Sequence, residues 1–265
     1  MAISDLSIHE RWVVVLCGGR GSRLAPITNT IPKPLIKIHE KPILWYVFQA
    51  LLKYGFRQFI FPLGYKGGMI KEFVTQEFKD RDCKLFFFNT GVDTPIAQRL
   101  KKVEDVIPEH DDFFLINGDT LFDFDVQRMY KFHHDKSALL TLSSIDYISS
   151  YGIILEENNQ VTDFVYGGKI SRIFMDEGCA VEGHRNAGFT WVNKDALQLV
   201  NLSKCSNFED ELIHEAAKKG RAYHYRIDGS WFPVETQKDL DMINGVGKAK
   251  HQIEKFLVEA RKNLL

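Results

Sequence analysis

Four aliphatic residues in a row, Val13-Val14-Val15-Leu16, run straight into Cys17-Gly18-Gly19-Arg20-Gly21-Ser22-Arg23-Leu24. A short apolar run bounded by glycines reads as a buried strand, so the chain is committed near its start to a strand that empties into a glycine-rich turn. Glycine lets a backbone N–H come close to a phosphate oxygen and lets the backbone take positive φ. Arg23 adds a bidentate fork, and Lys33, ten residues on, adds a point charge. Pro32 and Pro34 restrict the backbone on either side of Lys33, so that a stiff segment presents the lysine. The pattern predicts a phosphate cradle at the end of a strand, in a chain that handles a nucleotide.

Two commoner phosphate loops do not fit. A Walker A loop places lysine and then serine or threonine directly after its last glycine, and neither Gly18 nor Gly21 offers that spacing; a dinucleotide fingerprint needs a third glycine where Leu24 stands. A strand-to-helix turn without a ligand is the plain alternative, and the flanking Arg23 and Lys33 weigh against it. A formal charge of −1 over 265 residues gives no general attraction for nucleic acid or an anionic membrane, which leaves a small anion held by local groups. Cys17, Cys83, Cys179 and Cys205 form no Cys-x-x-Cys pair, so neither zinc nor a disulfide framework is expected, and a reduced, cytoplasmic protein fits. The polar first eleven residues and the absence of apolar runs near about 18 residues predict no leader and no membrane span.

Strand-like runs at 12–17, 58–63, 84–89, 113–117 and 138–145 alternate with helical patterns at 42–54, 67–79 and 126–135, which predicts a largely parallel sheet with helices on its faces. Pro42 suits a first helical turn and Gly55 a stop. The second half changes character: β-type pieces at 152–156, 161–166 and 187–192 are broken by a glycine- and charge-rich stretch, 167–185, expected as a loop or small hairpin over the substrate. Asn207 is positioned to cap a helix ending at Gly220. Ile253, Phe256, Leu257, Ala260 and Leu264 form one stripe on a terminal helix, 247–265, expected to dock on its own domain or to make a homo-oligomer contact. Phe86-Phe87-Phe88 reads as a buried strand and His133-His134 as a solvated helix pair.

Taken together, these motifs resemble the sugar-1-phosphate nucleotidylyltransferases, which join a nucleoside triphosphate to a sugar phosphate and release pyrophosphate. The family pattern Gly-Gly-x-Gly-Ser/Thr-Arg-Leu lies at 18–24, followed by Lys33-Pro34-Leu35. Lys41-Pro42-Ile43-Leu44-Trp45, Gly64-Tyr65-Lys66-Gly67, Asn117-Gly118-Asp119, Tyr151-Gly152 and Asn186-Ala187-Gly188-Phe189 extend the resemblance over most of 12–243. The first two of these stretches, Lys41–Trp45 and the one that opens at Gly64-Tyr65-Lys66-Gly67, are most similar to the glucose-1-phosphate cytidylyltransferase branch, which implies CTP. Asn117-Gly118-Asp119-Thr120 is also similar to heptose- and mannose-phosphate guanylyltransferases, so GTP, like UTP and dTTP, stays open. The implied fold is α/β and Rossmann-like, of the nucleotide-diphospho-sugar transferase type. It has a mostly parallel or mixed central sheet with helices on both faces, a small β region covering the substrate, and C-terminal helices. Residues 1–246 would form the catalytic domain, with a nucleotide-binding half near 12–145 and an acceptor-binding half near 146–235.

The resemblance also assigns roles. Arg23 would hold the leaving pyrophosphate and Lys33 would bridge to the α-phosphate, with Cys17, Gly18, Gly19, Gly21, Ser22, Asn117 and Gly118 around the nucleotide. Gln98 would pair with the base and Arg99 reach a phosphate, although the glycines that precede this arginine in cytidylyltransferases are missing. Tyr151, Gly152, Lys169, Asn186 and Gly188 would face the phosphorylated acceptor. Asp119 follows an apolar strand, at the end where α/β ligands gather, and magnesium favours one or two carboxylates with phosphate oxygens. Asp119 is therefore expected as a Mg2+ ligand, with Glu235 as the second where the family usually has aspartate. The family's Glu-Lys-Pro on the acceptor side is absent, and Val161-Thr162-Asp163-Phe164 leads instead to Lys169, which implies an unusual acceptor.

Two other functions remain open from sequence. Asp123-Phe124-Asp125 has the Asp-x-Asp form that holds metal and nucleotide sugar in glycosyltransferases, although both acids also precede a helix, where capping explains them. A non-catalytic, nucleotide-binding subunit is the third reading.

Overall fold

Alternate residues of β1 (Trp12–Leu16) serve two separate cores: Val13 and Val15 pack into one, Trp12 and Val14 into the other. A strand buried on both faces has no polar alternation, which is why its sequence is a continuous apolar run. The computed structural model describes residues 7–148, 152–166, 168–170, 172–174 and 180–244. The expected terminal helix and Tyr151 lie outside the described residues. Among those described, no helix is long and apolar enough to cross a membrane.

After β1 come α1 (Ile43–Lys53), β2 (Gln58–Leu63), α2 (Gly67–Glu77), β3 (Lys84–Asn89), α3 (Ile96–Lys101), β4 (Asp112–Asn117), β5 (Thr120–Phe124) and α4 (Val126–Asp135). The second half supplies β6 (Leu140–Ile145), β7 (Arg185–Asn193), α5 (Phe208–Lys218), β8 (Ala222–Arg226), β9 (Gly229–Pro233) and α6 (Gln237–Ile243). Seven strands form one sheet in the order β8-β6-β7-β4-β1-β2-β3. Neighbours are parallel except β7, which runs antiparallel to both β4 and β6. The sheet is thus mixed, with α1, α2, α4 and α6 in the core on one face and α3 and α5 on the other.

This topology gathers the carboxyl ends of β1, β4, β6 and β8 and the amino end of β7 along one edge. Just beyond β4, β5 and β9 pair as an antiparallel ribbon in which Thr120 faces Pro233. Gly152–Glu157 and Gln160–Tyr166 form a hairpin. The 167–185 stretch contributes short pairs, Lys169–Ile170 with Tyr147–Ile148 and Arg172–Phe174 with Ala180–Glu182.

Two expectations are corrected. Phe86, Phe87 and Phe88 are half-buried, because β3 is the outermost strand and lacks a neighbour on one side. His133 is buried, and only His134 of that pair faces solvent. His133 Nδ1 lies 2.8 Å from Thr141 Oγ1, and its Nε2 lies 3.4 Å from Asp112 Oδ1. Asn193 Nδ2 also donates to Asp112 Oδ1, at 2.8 Å. Burial pushes the Asp112 carboxyl up, but His133, Asn193 and Arg11 together outweigh it and hold it below the usual carboxylate range.

A carboxylate whose folded pKa is depressed stabilises the fold above its unfolded pKa of about 4 and loses that contribution as pH falls through the folded value. Asp112→Ala should cost about 2–3 kcal/mol at neutral pH by stranding His133 and Asn193. In denaturant titrations, the gap to the wild type should narrow below about pH 4.

Candidate functional site

The glycine loop is pinned from behind by a buried cation. Arg99, on α3, is 5% exposed. Its Nη2 donates to Gly18 O at 3.2 Å and to Val92 O at 2.9 Å; its Nη1 donates to Thr90 Oγ1 at 2.5 Å and to Leu63 O at 3.3 Å. Gly18 O also accepts from Tyr65 N at 3.0 Å. The expectation that Arg99 reaches a phosphate is therefore corrected, since its guanidinium is spent on the chain's own oxygens. Gln98, its neighbour on α3, takes the other side of the helix. Neighbouring helical residues point about 100° apart, so with Arg99 turned inward Gln98 turns outward, where its Nε2 donates to Ser203 O at 3.4 Å.

The guanidinium also explains the glycines. A Cβ on Gly18 would lie 2.4 Å from Arg99 Nη1, and one on Gly64 would lie 2.5 Å from Gly18 O. Gly21 has φ +65, in the left-handed region, with Lys33 Cβ 2.9 Å from where its own Cβ would be. Arg20, next to Gly19, forms a two-pronged pair with Asp93 at 2.8 and 2.9 Å and lies over the Tyr65 ring.

In front of the loop is a cavity of about 230 Å³, lined by Cys17, Gly19, Gly21, Ser22, Arg23, Lys33, Asp119 and Glu235 among others. The β5–β9 ribbon brings the two carboxylates together: with Thr120 opposite Pro233, Asp119 and Glu235 flank the same end, and Val234 N donates to Asp119 O at 3.3 Å. Asp239 Oδ2, in the capping box of α6, accepts from Glu235 N at 2.9 Å and so fixes Glu235 from behind. Lys33 Nζ lies 2.6 Å from Asp119 Oδ2, and Arg23 Nη1 lies 2.6 Å from Glu235 Oε2. Burial pushes the Cys17 thiol up to about 12, so it has no nucleophilic character at neutral pH.

Two carboxylates on one cavity wall match the oxygen donors magnesium takes, namely one or two carboxylates with phosphate oxygens and waters. Among the described residues, no three acidic, histidine or cysteine side chains cluster as a ready-made cage. An ion held there would draw its remaining oxygens from a ligand.

Asn117, expected at the nucleotide, and Gly188, expected at the acceptor, meet where β4 and β7 pair. Gly188 has φ +82, and its Cβ would lie 2.8 Å from Asn117 Nδ2. Asn186 Oδ1 accepts from Gly188 N at 2.9 Å within an irregular stretch of β7, and Gly118 N donates to Leu16 O at 2.9 Å. Gly152 opens the hairpin opposite Tyr166. Lys169 lies 2.9 Å from Asp146, a partner the sequence did not single out. Arg185 was missed as well: it lies 4.9 Å over the Trp231 ring and 4.0 Å from Glu235. The Asp-x-Asp competitor is accounted for locally. Capping, expected for both acids, is corrected for one of them: Asp125 caps α4 by accepting from Arg128 N at 2.8 Å, whereas Asp123 lies within β5 and is held by Tyr54 Oη at 2.5 Å and Lys53 Nζ at 2.9 Å.

A family model described as nucleotidyl transferase matches residues 12–240. The chain belongs to the nucleotidyl transferase family. This nucleotidyl transferase is 32% identical over 261 residues to the Bacillus subtilis (strain 168) protein named "Probable glucose-1-phosphate cytidylyltransferase", covering 91% of this chain and 98% of that one. It is 26% identical to the mannose-1-phosphate guanylyltransferase catalytic subunit beta of Xenopus tropicalis, covering 86% of this chain and 62% of the relative. Its fold matches that of an apo UDP-glucose pyrophosphorylase with a TM-score of 0.66 at 16% identity, covering 95% and 98% of the two chains.

Substituting Gly18 by Ala in this nucleotidyl transferase forces a methyl group into the Arg99 guanidinium and should cost about 1–3 kcal/mol. A Cβ on Gly19 meets nothing within 4 Å. Thermal unfolding of Gly18→Ala and Gly19→Ala should therefore show a clear loss for the first and little change for the second.

Proposed function

We propose that this nucleotidyl transferase moves a nucleotidyl group from a nucleoside triphosphate, CTP by preference, to a phosphorylated sugar or related metabolite, and releases pyrophosphate. The observation that carries this is the pair of ion pairs, Lys33–Asp119 and Arg23–Glu235, facing a cavity at the mouth of a glycine loop. CTP is favoured by the cytidylyltransferase named among the relatives.

In such a reaction an acceptor phosphate oxygen attacks the α-phosphorus in line, charge spreads over the phosphoryl oxygens, and pyrophosphate departs. The protein's part is positioning and charge stabilisation, with no side-chain nucleophile. The backbone of Gly19, Gly21 and Ser22 offers N–H donors to the triphosphate. Lys33, 15% exposed and backed by Pro32 and Pro34, has little freedom and serves as the cation at the α-phosphate. Arg23 is far more exposed, at 71%, and can swing from Glu235 to the departing pyrophosphate. Magnesium bound by Asp119 and Glu235 would neutralise charge on the phosphates. The local roles of Asp123 and Asp125 speak against a glycosyltransferase using that pair.

Pyrophosphate release measured with each of the four NTPs and a panel of phosphorylated acceptors tests the proposal, and CTP should be turned over best. Lys33→Ala and Asp119→Asn should each lower kcat by about 100-fold or more while leaving the unfolding transition in place. Asp125→Ala should cost about 1 kcal/mol of stability through the lost cap and keep its turnover. Absence of release with every pair in a folded protein would refute the proposal.

A further inference from the structure

Three strands beyond the glycine loop, the same sheet edge carries a second charged cluster that the phosphate clamp does not use. Asp146 follows β6, Arg226 ends β8, and Lys169 lies on the short strand paired with Tyr147–Ile148. Asp146 Oδ2 accepts from Arg226 Nη2 at 2.7 Å and from Lys169 Nζ at 2.9 Å. The His184 and His224 rings stack with centroids 5.0 Å apart, and His224 Nδ1 lies 3.1 Å from Ser144 Oγ. Arg185, directly after His184, reaches back toward Glu235, which Arg23 already engages.

The balance of charge is what points to a ligand. Lys169, Arg185 and Arg226 are basic and two imidazoles accompany them, while among the described residues Asp146 is the one carboxylate that pairs with both Lys169 and Arg226. All three cations remain 40% or more exposed and open to a solute. His184 Nδ1 is buried without a hydrogen-bond partner among the described residues, a state that proteins seldom leave unmet, and an imidazole nitrogen can donate to an anion. Neighbouring strands are about 4.8 Å apart, so the end of β6 lies about 10 Å from the end of β4 at Asn117. A small metabolite can span that gap.

We infer that the acceptor carries a second anionic group, a carboxylate or a phosphate, seated on Arg226, Lys169 and His184 while its reacting phosphate faces Lys33. The inference rests on the nucleotidyl-transfer reading for the reacting end only. It also gives a physical content to the missing Glu-Lys-Pro, since an acceptor anchored at its far end by charge needs a different grip from a neutral hexose.

Equilibrium binding to the full chain without nucleotide tests it, using three probes that share a sugar 1-phosphate: glucose 1-phosphate, glucuronic acid 1-phosphate and glucose 1,6-bisphosphate. At least one of the doubly anionic probes should bind tenfold or more tightly than glucose 1-phosphate. Arg226→Met should erase that preference and Arg226→Lys should restore part of it, with thermal unfolding verifying that both variants are folded. Equal affinity for the three probes, no binding of any, or a preference that survives Arg226→Met would overturn the inference. Pyrophosphate release with CTP and the same probes reports separately on the transfer reading: an intact binding preference without release supports the anion site and counts against that reading alone.

Discussion

A guanidinium taken out of water costs several kcal/mol unless its donors are met, and Arg99 meets them with oxygens from three separate segments. Gly18 O belongs to the phosphate loop, Leu63 O to the end of β2, and Thr90 and Val92 to the turn after β3. The cation therefore acts as a rivet behind the loop. Its bulk excludes a side chain at Gly18 and Gly64, and its bonds fix where Gly18 O points. Arg20 then ties the outer side of the loop to Asp93 in the same turn. Held at both places, the loop keeps Gly19, Gly21 and Ser22 on the cavity wall.

The facing wall depends on a different device. β5 and β9 share no sequence neighbourhood, yet their pairing sets Asp119 beside Glu235, and Trp231 Nε1 anchors the ribbon to β7 by donating to Ala187 O at 2.7 Å. The two ion pairs across the cavity differ in kind. Lys33–Asp119 is largely shielded and geometrically constrained, whereas Arg23–Glu235 is exposed, and exposed pairs contribute little to stability. Lys33 is thus fixed in advance and Arg23 is free to move, which suits a bond-forming centre on one side and a departing group on the other.

Legibility followed the range of the interactions. The continuous apolar run of β1, the glycine loop, the stops at Gly55 and Gly220 and the cap at Asn207 are local, and each stands where its sequence places it. Asp119 could be found because a strand and a glycine precede it. The β5–β9 ribbon and β8 were not anticipated, since short, half-exposed strands such as Ala222-Tyr223-His224-Tyr225-Arg226 owe their existence to partners far along the chain. Arg99 was misread because a charged residue is seldom buried, and nothing in its neighbours shows that four oxygens from elsewhere will surround it. Asp146, His184 and Arg226 belong to no motif. Only the order of strands makes them neighbours.

That strand order also separates two electrostatic regimes along one edge. At the end of β1, cations and carboxylates are matched pair by pair, so the cavity is close to neutral before a ligand arrives. At the ends of β6 and β8, cations outnumber the acids that hold them. With a net charge of −1 the whole chain exerts almost no long-range pull on an anion, so this local surplus must act within a few ångströms. Like charges held that close repel, and a single carboxylate relieves only part of the repulsion. An anion placed among them relieves the rest, and the gain grows as water is excluded from the site. On the proposed reading, discrimination between acceptors would follow from contacts that only a charged far end can make, while the matched pairs at the other end would be indifferent to what the acceptor phosphate is attached to.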